Sequence, residues 1–232
     1  MNILITGGSR GIGEAIARRF AKEGHALILT AKNEERLKLL AEELNNTYNT
    51  VVYYKSCDHS NKEAVKELAF WLNKQVDNLD ILVNNAGSFM PGNVTSEPDG
   101  TLEQMISVNL YSAYYTTRAL LRAMKKSANP HIFNMCSIAG LQAYDNGGSY
   151  SISKFALMGF TKNLRKELMA ERIKVTGIYP GAVYTDSWSG SGVSKQRIME
   201  VNDIADLVYT AAHLSPQACP EEIVIRPLEG DL

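Results

Sequence analysis

The stretch TGGSRGIG, residues 6–13, decides the fold, and it directly follows the apolar run at 3–5. Such a run predicts a buried strand, and a helical pattern that begins at Gly11 places the glycines in a strand-to-helix turn. The free N–H groups at a helix N-terminus, together with the helix dipole, favour a bound phosphate. We therefore predict a dinucleotide loop in which Gly7 allows the tight turn, and Gly11 and Gly13, which lack a Cβ, let the pyrophosphate and the helix come close.

Two other interpretations of this loop are a triphosphate-binding loop and a plain turn without a ligand. The first requires a lysine directly after the last glycine, where Glu14 stands instead. The second stays open on this motif alone.

Length and composition indicate one globular domain, 1–232. A chain of 232 residues with 45% hydrophobic and 21% charged residues can bury a sizeable core. Its net charge of −1 gives no reason to expect nucleic acid or an anionic membrane as a partner. No apolar run approaches the roughly 18 residues of a membrane span, and no signal peptide precedes the first strand, so we expect a cytoplasmic location.

The cysteines and histidines show no metal-ligand spacing, so we predict no metal site. Cys57, Cys136 and Cys219 are scattered, which favours free thiols in a reducing compartment. We expect the histidines in ordinary turn or helix-end positions: His25, His59, His131 and His213.

Short apolar runs alternate with longer amphipathic stretches, which predicts an α/β fold with right-handed crossovers. The runs lack strict alternation, as expected for strands that are covered on both faces. We predict a doubly wound Rossmann fold, a single domain with about seven parallel strands flanked by helices. The strands are Asn2–Thr6, Ala26–Ala31, Val51–Ser56, Leu79–Asn84, His131–Cys136, Lys174–Tyr179 and Glu222–Ile225.

Helical periodicity fills the intervals between these strands. Ser60-x-x-Glu63 and Thr101-x-x-Gln104 fit the capping-box pattern at two helix starts. The predicted helices are Gly11–Lys22, Glu34–Leu44, Lys62–Gln75, Leu102–Lys126, Ser149–Ala170 and Ile204–His213.

Two loops follow carboxyl ends of strands, where open α/β sheets bind ligands. SFMPGNVTSEPDG spans 88–100, and a second loop near 186–200 contains SWSGSGVSK at 187–195. We predict substrate loops here, and we expect the Ser- and Gly-rich second loop to be mobile. Plain flexible loops are the alternative.

The end of the second strand bears on the choice of dinucleotide. NAD enzymes usually carry an acid there to bind the ribose 2′-OH, but Ala31 stands at that position and Lys32 follows it. Arg10 lies inside the glycine loop. Two cations and no acid at this corner suit a 2′-phosphate, so NADP(H) is the preferred cofactor and NAD(H) a possible one. Solvated surface charges are the alternative.

YSISK, 150–154, places Tyr150 and Lys154 on one helix face, about 6 Å apart. Ser137 lies at the end of the fifth strand, thirteen residues before Tyr150. Together with the glycine loop, these residues resemble the short-chain dehydrogenase/reductase family, in its single-domain TGxxxGxG branch, from Leu4 to about Arg226. The other matching elements are NNAG at 84–87, Asn109 and PGAVYT at 180–185.

The resemblance implies a catalytic set of four residues. Tyr150 is implied to protonate a carbonyl oxygen, or to act as the base in the reverse direction. Lys154 is implied to favour the phenolate and to hold the nicotinamide ribose. Ser137 would donate a hydrogen bond to the substrate oxygen, and Asn109 would anchor a water that links Lys154 to solvent.

The resemblance also implies a cofactor-binding set. Asp58 would contact adenine, NNAG would form the floor beneath the cofactor, and PGAVYT would fix the nicotinamide carboxamide. The full set is Gly7, Ser9, Arg10, Gly11, Ile12, Gly13, Ala31, Lys32, Asp58, Asn85, Ala86, Gly87, Tyr150, Lys154, Pro180, Gly181, Val183 and Thr185.

These elements predict an NADP(H)-dependent carbonyl reductase or alcohol dehydrogenase. The pocket wall is mostly apolar and has no evident arginine clamp, which favours a neutral ketone or aldehyde. Ile138 and Leu141 could join this wall or pack in the core. The predicted substrate-pocket residues are Phe89, Met90, Tyr144, Tyr184 and Trp188.

Two alternatives stay open. A 3-oxoacyl thioester reductase of the same family is disfavoured because the ending EEIVIRPLEGDL, 221–232, departs from the glycine-rich ending common among those enzymes. A non-catalytic dinucleotide-binding sensor is disfavoured because all four catalytic positions are occupied.

The helices at 102–126 and 149–170 resemble those that often pair into a four-helix dimer interface. We therefore expect a homodimer or homotetramer. The residues that could serve that interface, or equally face the sheet, are Tyr115, Leu121, Phe155 and Phe160.

Overall fold

A computed structural model describes residues 1–188 and 192–232. Residues 189–191, at the centre of the second predicted substrate loop, lie outside the described residues. The mobility predicted for this loop therefore stays a prediction. The chain forms one parallel sheet of seven strands in the order β3-β2-β1-β4-β5-β6-β7. The strands are β1 Asn2–Thr6, β2 Ala26–Ala31, β3 Val52–Ser56, β4 Ile81–Asn84, β5 His131–Met135, β6 Lys174–Pro180 and β7 Glu222–Ile225.

Helices cover both faces of the sheet, and the strand order reverses between β1 and β4. The predicted doubly wound fold is therefore confirmed. None of the helices in the described part of the chain is long and apolar enough to span a membrane. The helices are α1 Gly11–Ala21, α2 Glu34–Thr47, α3 Lys62–Leu72, α4 Thr101–Ile106, α5 Ser112–Met124, α6 Gly148–Leu168 and α7 Val201–Ala212.

The central strand β1 shows why its sequence is apolar without alternation. Ile3 and Ile5 pack into a cluster that includes Phe20 of α1, whereas Leu4 packs into a cluster on the opposite face that includes Leu120 of α5. Both faces of the strand are buried, so each position requires an apolar side chain.

Both predicted capping boxes are wrong. At α3 the N-cap is Asn61, whose side chain accepts hydrogen bonds from the N–H groups of Glu63 and Ala64. Ser60 instead donates its hydroxyl to Asp58, at 2.6 Å. The nearby carboxylate therefore competes successfully for the serine.

At α4, Thr101 is the first helical residue, and its hydroxyl donates to the Pro98 carbonyl at 2.7 Å. The N-cap is Gly100, with a φ of 85° that favours glycine. A capping box does form at α7, where the Glu200 N–H donates to Asp203 Oδ2 at 2.9 Å.

The helix expected at 102–126 is interrupted. Between α4 and α5 the chain forms a π-helical segment, Ser107–Tyr111, which contains Asn109. Such segments insert one extra residue into a helix and are frequent at functional sites.

The residues considered for a dimer interface differ in their environments. Tyr115, Leu121 and Phe160 pack partly against the core clusters, whereas Phe155 is 38% exposed. The oligomeric state stays a prediction.

Two histidines are buried, although the sequence suggested turn or helix-end positions. His59 lies between the hydroxyls of Thr30 and Thr116, at 2.7 and 2.8 Å. His131 lies in β5, with Nε2 2.7 Å from the Thr176 hydroxyl. Burial lowers the pKa of His59 to about 4 and that of His131 to about 3.

We expect these histidines to make stability fall with acid. An unfolded histidine, with a pKa of about 6.5, takes up a proton as the pH falls, but the folded state stays neutral until about pH 4 at His59. Each histidine then lowers the free energy of unfolding by about 1.4 kcal/mol per pH unit across that window.

Urea unfolding between pH 7 and pH 4.5 measures this slope. His59→Gln should reduce the slope of the free energy of unfolding against pH by the contribution of one histidine, about 1.4 kcal/mol per pH unit. His213→Gln, at an exposed histidine, is the matched control. An unchanged slope in the His59 variant would contradict the expectation.

Candidate active site

Helix α6 carries Tyr150 and Lys154 one turn apart, as the YSISK spacing predicts. The Lys154 ammonium lies 5.7 Å from the centre of the Tyr150 ring and donates to the Met135 carbonyl at 2.9 Å. Lys154 is 6% exposed, and a buried charge is costly unless it is hydrogen-bonded. The carbonyl at the end of β5 therefore holds the ammonium at the carboxyl edge of the sheet.

Asn109 is buried in the π-helical segment and joins the loop after β4 to α6. Its Oδ1 accepts from the Ser88 N–H at 2.8 Å, and its Nδ2 donates to the Ser88 carbonyl at 3.0 Å and to Ser153 Oγ at 2.9 Å. A Cβ on Gly87 would lie 3.0 Å from Asn109 Oδ1 and 3.8 Å from Lys154 Nζ. The structure thus brings Gly87, Asn109 and Lys154 together.

Ser137 follows β5 and begins a 3₁₀ turn, Ile138–Gly140. Its hydroxyl accepts a hydrogen bond from the Ala139 N–H at 3.1 Å. A Cβ on Gly140 would lie 2.6 Å from the Lys154 carbonyl oxygen, so this turn packs directly on the backbone of α6. The turn that carries Ser137 therefore borders the helix that carries Tyr150.

The glycine loop packs against the NNAG segment through very short approaches. Gly7 has a φ of 63°, and a Cβ on Gly13 would lie 2.4 Å from the Gly7 carbonyl oxygen and 2.6 Å from Asn85 Nδ2. Asn85 Nδ2 itself donates to the carbonyls of Thr6 and Gly7 at 3.0 and 3.2 Å. The missing Cβ of Gly13 therefore lets the start of α1 pack directly against the glycine loop and Asn85.

The start of α1 offers the cradle that a pyrophosphate needs. Arg10 is the N-cap, and no described side chain caps the helix there, so its first N–H groups are available for an anion. Gly11 has a φ of 57°, and its missing Cβ would lie 3.4 Å from Thr185 Cγ2. The cradle thus lies between the glycine loop and the segment after β6, which fits a bound dinucleotide.

Backbone bonds hold the segment at 180–185. Val183 pairs with Met199 in an isolated bridge, and the Tyr184 N–H donates to the Met199 carbonyl at 2.8 Å. Pro180 ends β6, and the Gly181 N–H donates to the Ile225 carbonyl at 2.8 Å.

Two carboxylates stand at the corner of Lys32 and Arg10, so the prediction that this corner has no acid is wrong. Lys32 Nζ lies 2.8 Å from an Asp58 carboxylate oxygen, and Arg10 lies 3.4 Å from Asp186. Partial burial would raise the pKa of Asp58, but hydrogen bonds from Lys32 and Ser60 outweigh burial and lower it. Ala31 ends β2 without a carboxylate, as predicted, and Asp58 comes from the segment after β3.

Two of the predicted substrate-pocket residues, Phe89 and Tyr144, lie near Tyr150. The Phe89 ring meets the Tyr150 ring edge to face, with centroids 4.8 Å apart. Burial, with the neighbouring Tyr150 as a smaller cause, raises the pKa of Tyr144 to about 12. Lys195 Nζ lies 4.9 Å above the Tyr184 ring.

The other residues considered for the pocket wall are more dispersed. Met90 and Trp188 are half-buried in the two substrate loops, and the Trp188 N–H donates to the Thr185 carbonyl at 3.0 Å. Leu141 packs against a core cluster, whereas Ile138 is half-buried. Leu141 thus takes the core position that the sequence left open.

One residue of the site was missed. Thr6 Oγ1 accepts from the N–H groups of both Asn85 and Ala86, each at 2.9 Å, and so links the glycine loop to NNAG. The signal was the threonine that opens TGGSRGIG, because a hydroxyl at a strand end can satisfy a neighbouring strand's free N–H groups.

Comparisons with known proteins identify the class. The family model of short chain dehydrogenases matches residues 1–195. The chain therefore belongs to the short-chain dehydrogenase/reductase family and is an oxidoreductase of that family, which confirms the resemblance seen in the sequence motifs.

Individual relatives cover almost the whole chain. An uncharacterized oxidoreductase of Staphylococcus aureus is 33% identical over 225 residues, 97% of this chain and 96% of the relative. The alcohol dehydrogenase of the archaeon Thermococcus sibiricus, complexed with 5-hydroxy-NADP, has a TM-score of 0.91 at 29% identity, over 98% of this chain and 96% of that chain. A metagenomic short-chain oxidoreductase in complex with NADP has a TM-score of 0.84 at 30% identity, over 98% and 96%.

We expect Gly13→Ala to destabilise the protein and weaken dinucleotide binding, because the new methyl group meets the Gly7 backbone at 2.4 Å. Overpacking of this kind costs about 1–3 kcal/mol. Thermal unfolding and NADPH fluorescence titration measure both effects.

Gly159→Ala, in α6, is the matched control, since a Cβ there meets no described atom within 4 Å. It should raise stability by up to about 1 kcal/mol. Equal melting temperatures and equal NADPH affinities in the two variants would refute the packing role of Gly13.

Proposed function

We propose that this protein is an NADP(H)-dependent carbonyl reductase that also oxidises the corresponding alcohol, with Tyr150 as the general acid and base. The observation that carries the proposal is the buried Lys154 ammonium, 5.7 Å from the Tyr150 ring and fixed by the Met135 carbonyl. A cation held beside a tyrosine stabilises the negative charge that develops on its oxygen while the proton is transferred.

Each residue of the catalytic set has its own role in the reaction. The dinucleotide supplies the hydride to the carbonyl carbon when bound. Tyr150 donates its hydroxyl proton to the carbonyl oxygen, which completes the alcohol, and Lys154 stabilises the phenolate that is left. Ser137 donates a hydrogen bond to the same oxygen as negative charge develops on it. Asn109 holds the loop after β4 against α6, which keeps Lys154 in place.

The wall of the pocket favours a neutral ketone or aldehyde. Phe89 lies against Tyr150, and Phe89 and Tyr144 are 49% and 41% exposed, so both can cover an apolar substrate. The loops at 88–100 and 186–200 would surround it.

NADP(H) is the proposed cofactor. Ala31 leaves the end of β2 without a carboxylate, and Lys32 stands beside it for a 2′-phosphate. Its bond to Asp58 is exposed and therefore weak, so the ammonium can bind a phosphate at little cost. The NADP complexes of the related structures support this choice.

We expect Tyr150→Phe to lower kcat by about 10²- to 10⁴-fold, because it removes the proton donor and little else. NADPH oxidation against a panel of ketones, aldehydes and 3-oxoacyl thioesters measures kcat, and fluorescence titration should show NADPH affinity changed less than about twofold. Tyr48→Phe is the matched control. Undiminished turnover in the Tyr150 variant would overturn the mechanism, and a best substrate among the thioesters would favour the related alternative.

We expect Lys32→Ala to raise the Kd of NADPH roughly tenfold and to leave that of NADH unchanged, because one charge-assisted hydrogen bond is lost. It also leaves Asp58 unpaired near the 2′-phosphate. Isothermal titration of both dinucleotides measures this, with Lys38→Ala, on the exposed face of α2, as the control. Equal weakening for both dinucleotides would contradict the proposed role.

A further inference from the structure

The first turn of the catalytic helix α6 is held by a carboxylate from outside the helix. The N-cap residue is Gly147, and no side-chain cap forms there. Glu97, in the loop at 88–100, accepts a hydrogen bond from the Ser149 N–H through Oε2 at 3.2 Å. Its Oε1 accepts from the Ser149 hydroxyl. One carboxylate thus satisfies two donors next to Tyr150 in sequence.

Close approach of two glycines makes this contact possible. Gly148 has a φ of 42°, and a Cβ there would lie 2.5 Å from the Gly92 carbonyl oxygen and 2.8 Å from Glu97 Oε2. The Gly92 N–H in turn donates to the Asn146 carbonyl at 3.0 Å. The loop and the start of α6 are therefore joined by backbone as well as by side chain.

The same loop reaches the aromatic ring of Tyr150. Its first residue, Ser88, is bonded to Asn109 at 2.8 Å, and the next, Phe89, lies edge-on to Tyr150 with centroids 4.8 Å apart. The loop is thus held by Asn109 at its start, by the backbone bond from Gly92 to Asn146 and by Glu97 near its end, and the aromatic contact to Tyr150 lies between the first two.

We propose that Glu97 is a positioning residue that fixes the loop at 88–100 against Tyr150 and thereby sets the affinity for the carbonyl substrate. The proposal rests on the proposed function, because it takes Tyr150 as the proton donor. Glu97 has no direct part in the chemistry under this proposal. It acts through Phe89, which forms the pocket wall only while the loop stays against α6.

A glutamate suits this position for two reasons. A carboxylate accepts two hydrogen bonds at once, and bonds to a charged acceptor are stronger than those to a neutral one. Its negative charge also lies at a helix N-terminus, where the helix dipole is favourable. Glutamine keeps one acceptor oxygen and loses the charge, so it should restore the contact in part.

Steady-state kinetics with the best carbonyl substrate test the proposal. We expect Glu97→Ala to raise the KM of that substrate roughly tenfold, because small displacements of positioning groups have large effects, and to change kcat less than about threefold. The KM of NADPH should stay unchanged, and Glu97→Gln should fall between Glu97→Ala and the wild type. Glu103→Ala removes an exposed carboxylate from the first turn of α4 and is the matched control.

Ser149→Ala supplies a double-mutant cycle. Because Glu97 and Ser149 share one contact, we expect the double variant to lose no more than Glu97→Ala alone. Strictly additive losses would overturn the proposal. A fall in melting temperature with equal changes in kcat and in both KM values would overturn it too, since a purely stabilising role would have that effect.

Hydrogen exchange of the protein with NADPH makes the test independent of turnover. We expect Glu97→Ala to speed amide exchange at 88–100 and at 146–152, and Glu103→Ala to leave both segments as in the wild type. Equal exchange in the two variants would refute the loop contact. If the wild type reduces no carbonyl in the panel, the proposed function is refuted, and the positioning role with it. If the wild type turns over and Glu97→Ala leaves the KM values unaltered, only the positioning role is refuted.

Discussion

The hydrogen bond from the buried Lys154 ammonium to the Met135 carbonyl is the constraint on which the site depends. Lys154 is 6% exposed, and its ammonium would be costly to bury without polar partners, so α6 can sit on the sheet only where the end of β5 offers an oxygen. That requirement fixes the helix, and Tyr150, one turn earlier, takes its position from it. Glycine at 140 lets the turn after β5 approach the helix backbone, where any Cβ would collide.

Parallel strands explain how distant segments meet at this point. The carboxyl ends of β1, β4, β5 and β6 lie side by side, since the sheet order is β1-β4-β5-β6 at its centre. The glycine loop, NNAG, the Ser137 turn and the segment at 180–185 each follow one of these strands. A motif that looks scattered along 180 residues of sequence is therefore one continuous edge of the folded protein.

The sequence predicted the strands to within one or two residues, because parallel strands that helices cover on both faces need continuous apolar runs. The residues that cap the helices were harder to predict. Asn61 rather than Ser60 caps α3 because Asp58 takes the serine hydroxyl, and this competition depends on the folded turn. The π-helical segment around Asn109 has no pattern of its own in the sequence, and the pairing of Lys32 with Asp58 joins residues that only strand order brings together.

The pairing of Lys32 with Asp58 changes how the preference for NADP(H) is explained in the proposed function. Counting cations from the sequence suggested an excess of positive charge, yet Lys32 and Arg10 each face a carboxylate. Both pairs are largely exposed, so water screens them and neither holds its cation firmly. What favours a 2′-phosphate is then the position of the acids: none ends β2, where a ribose hydroxyl would be bound, and Asp58 comes from the segment after β3. In the proposed function, selectivity for NADP(H) thus depends on Ala31 more than on the number of positive charges.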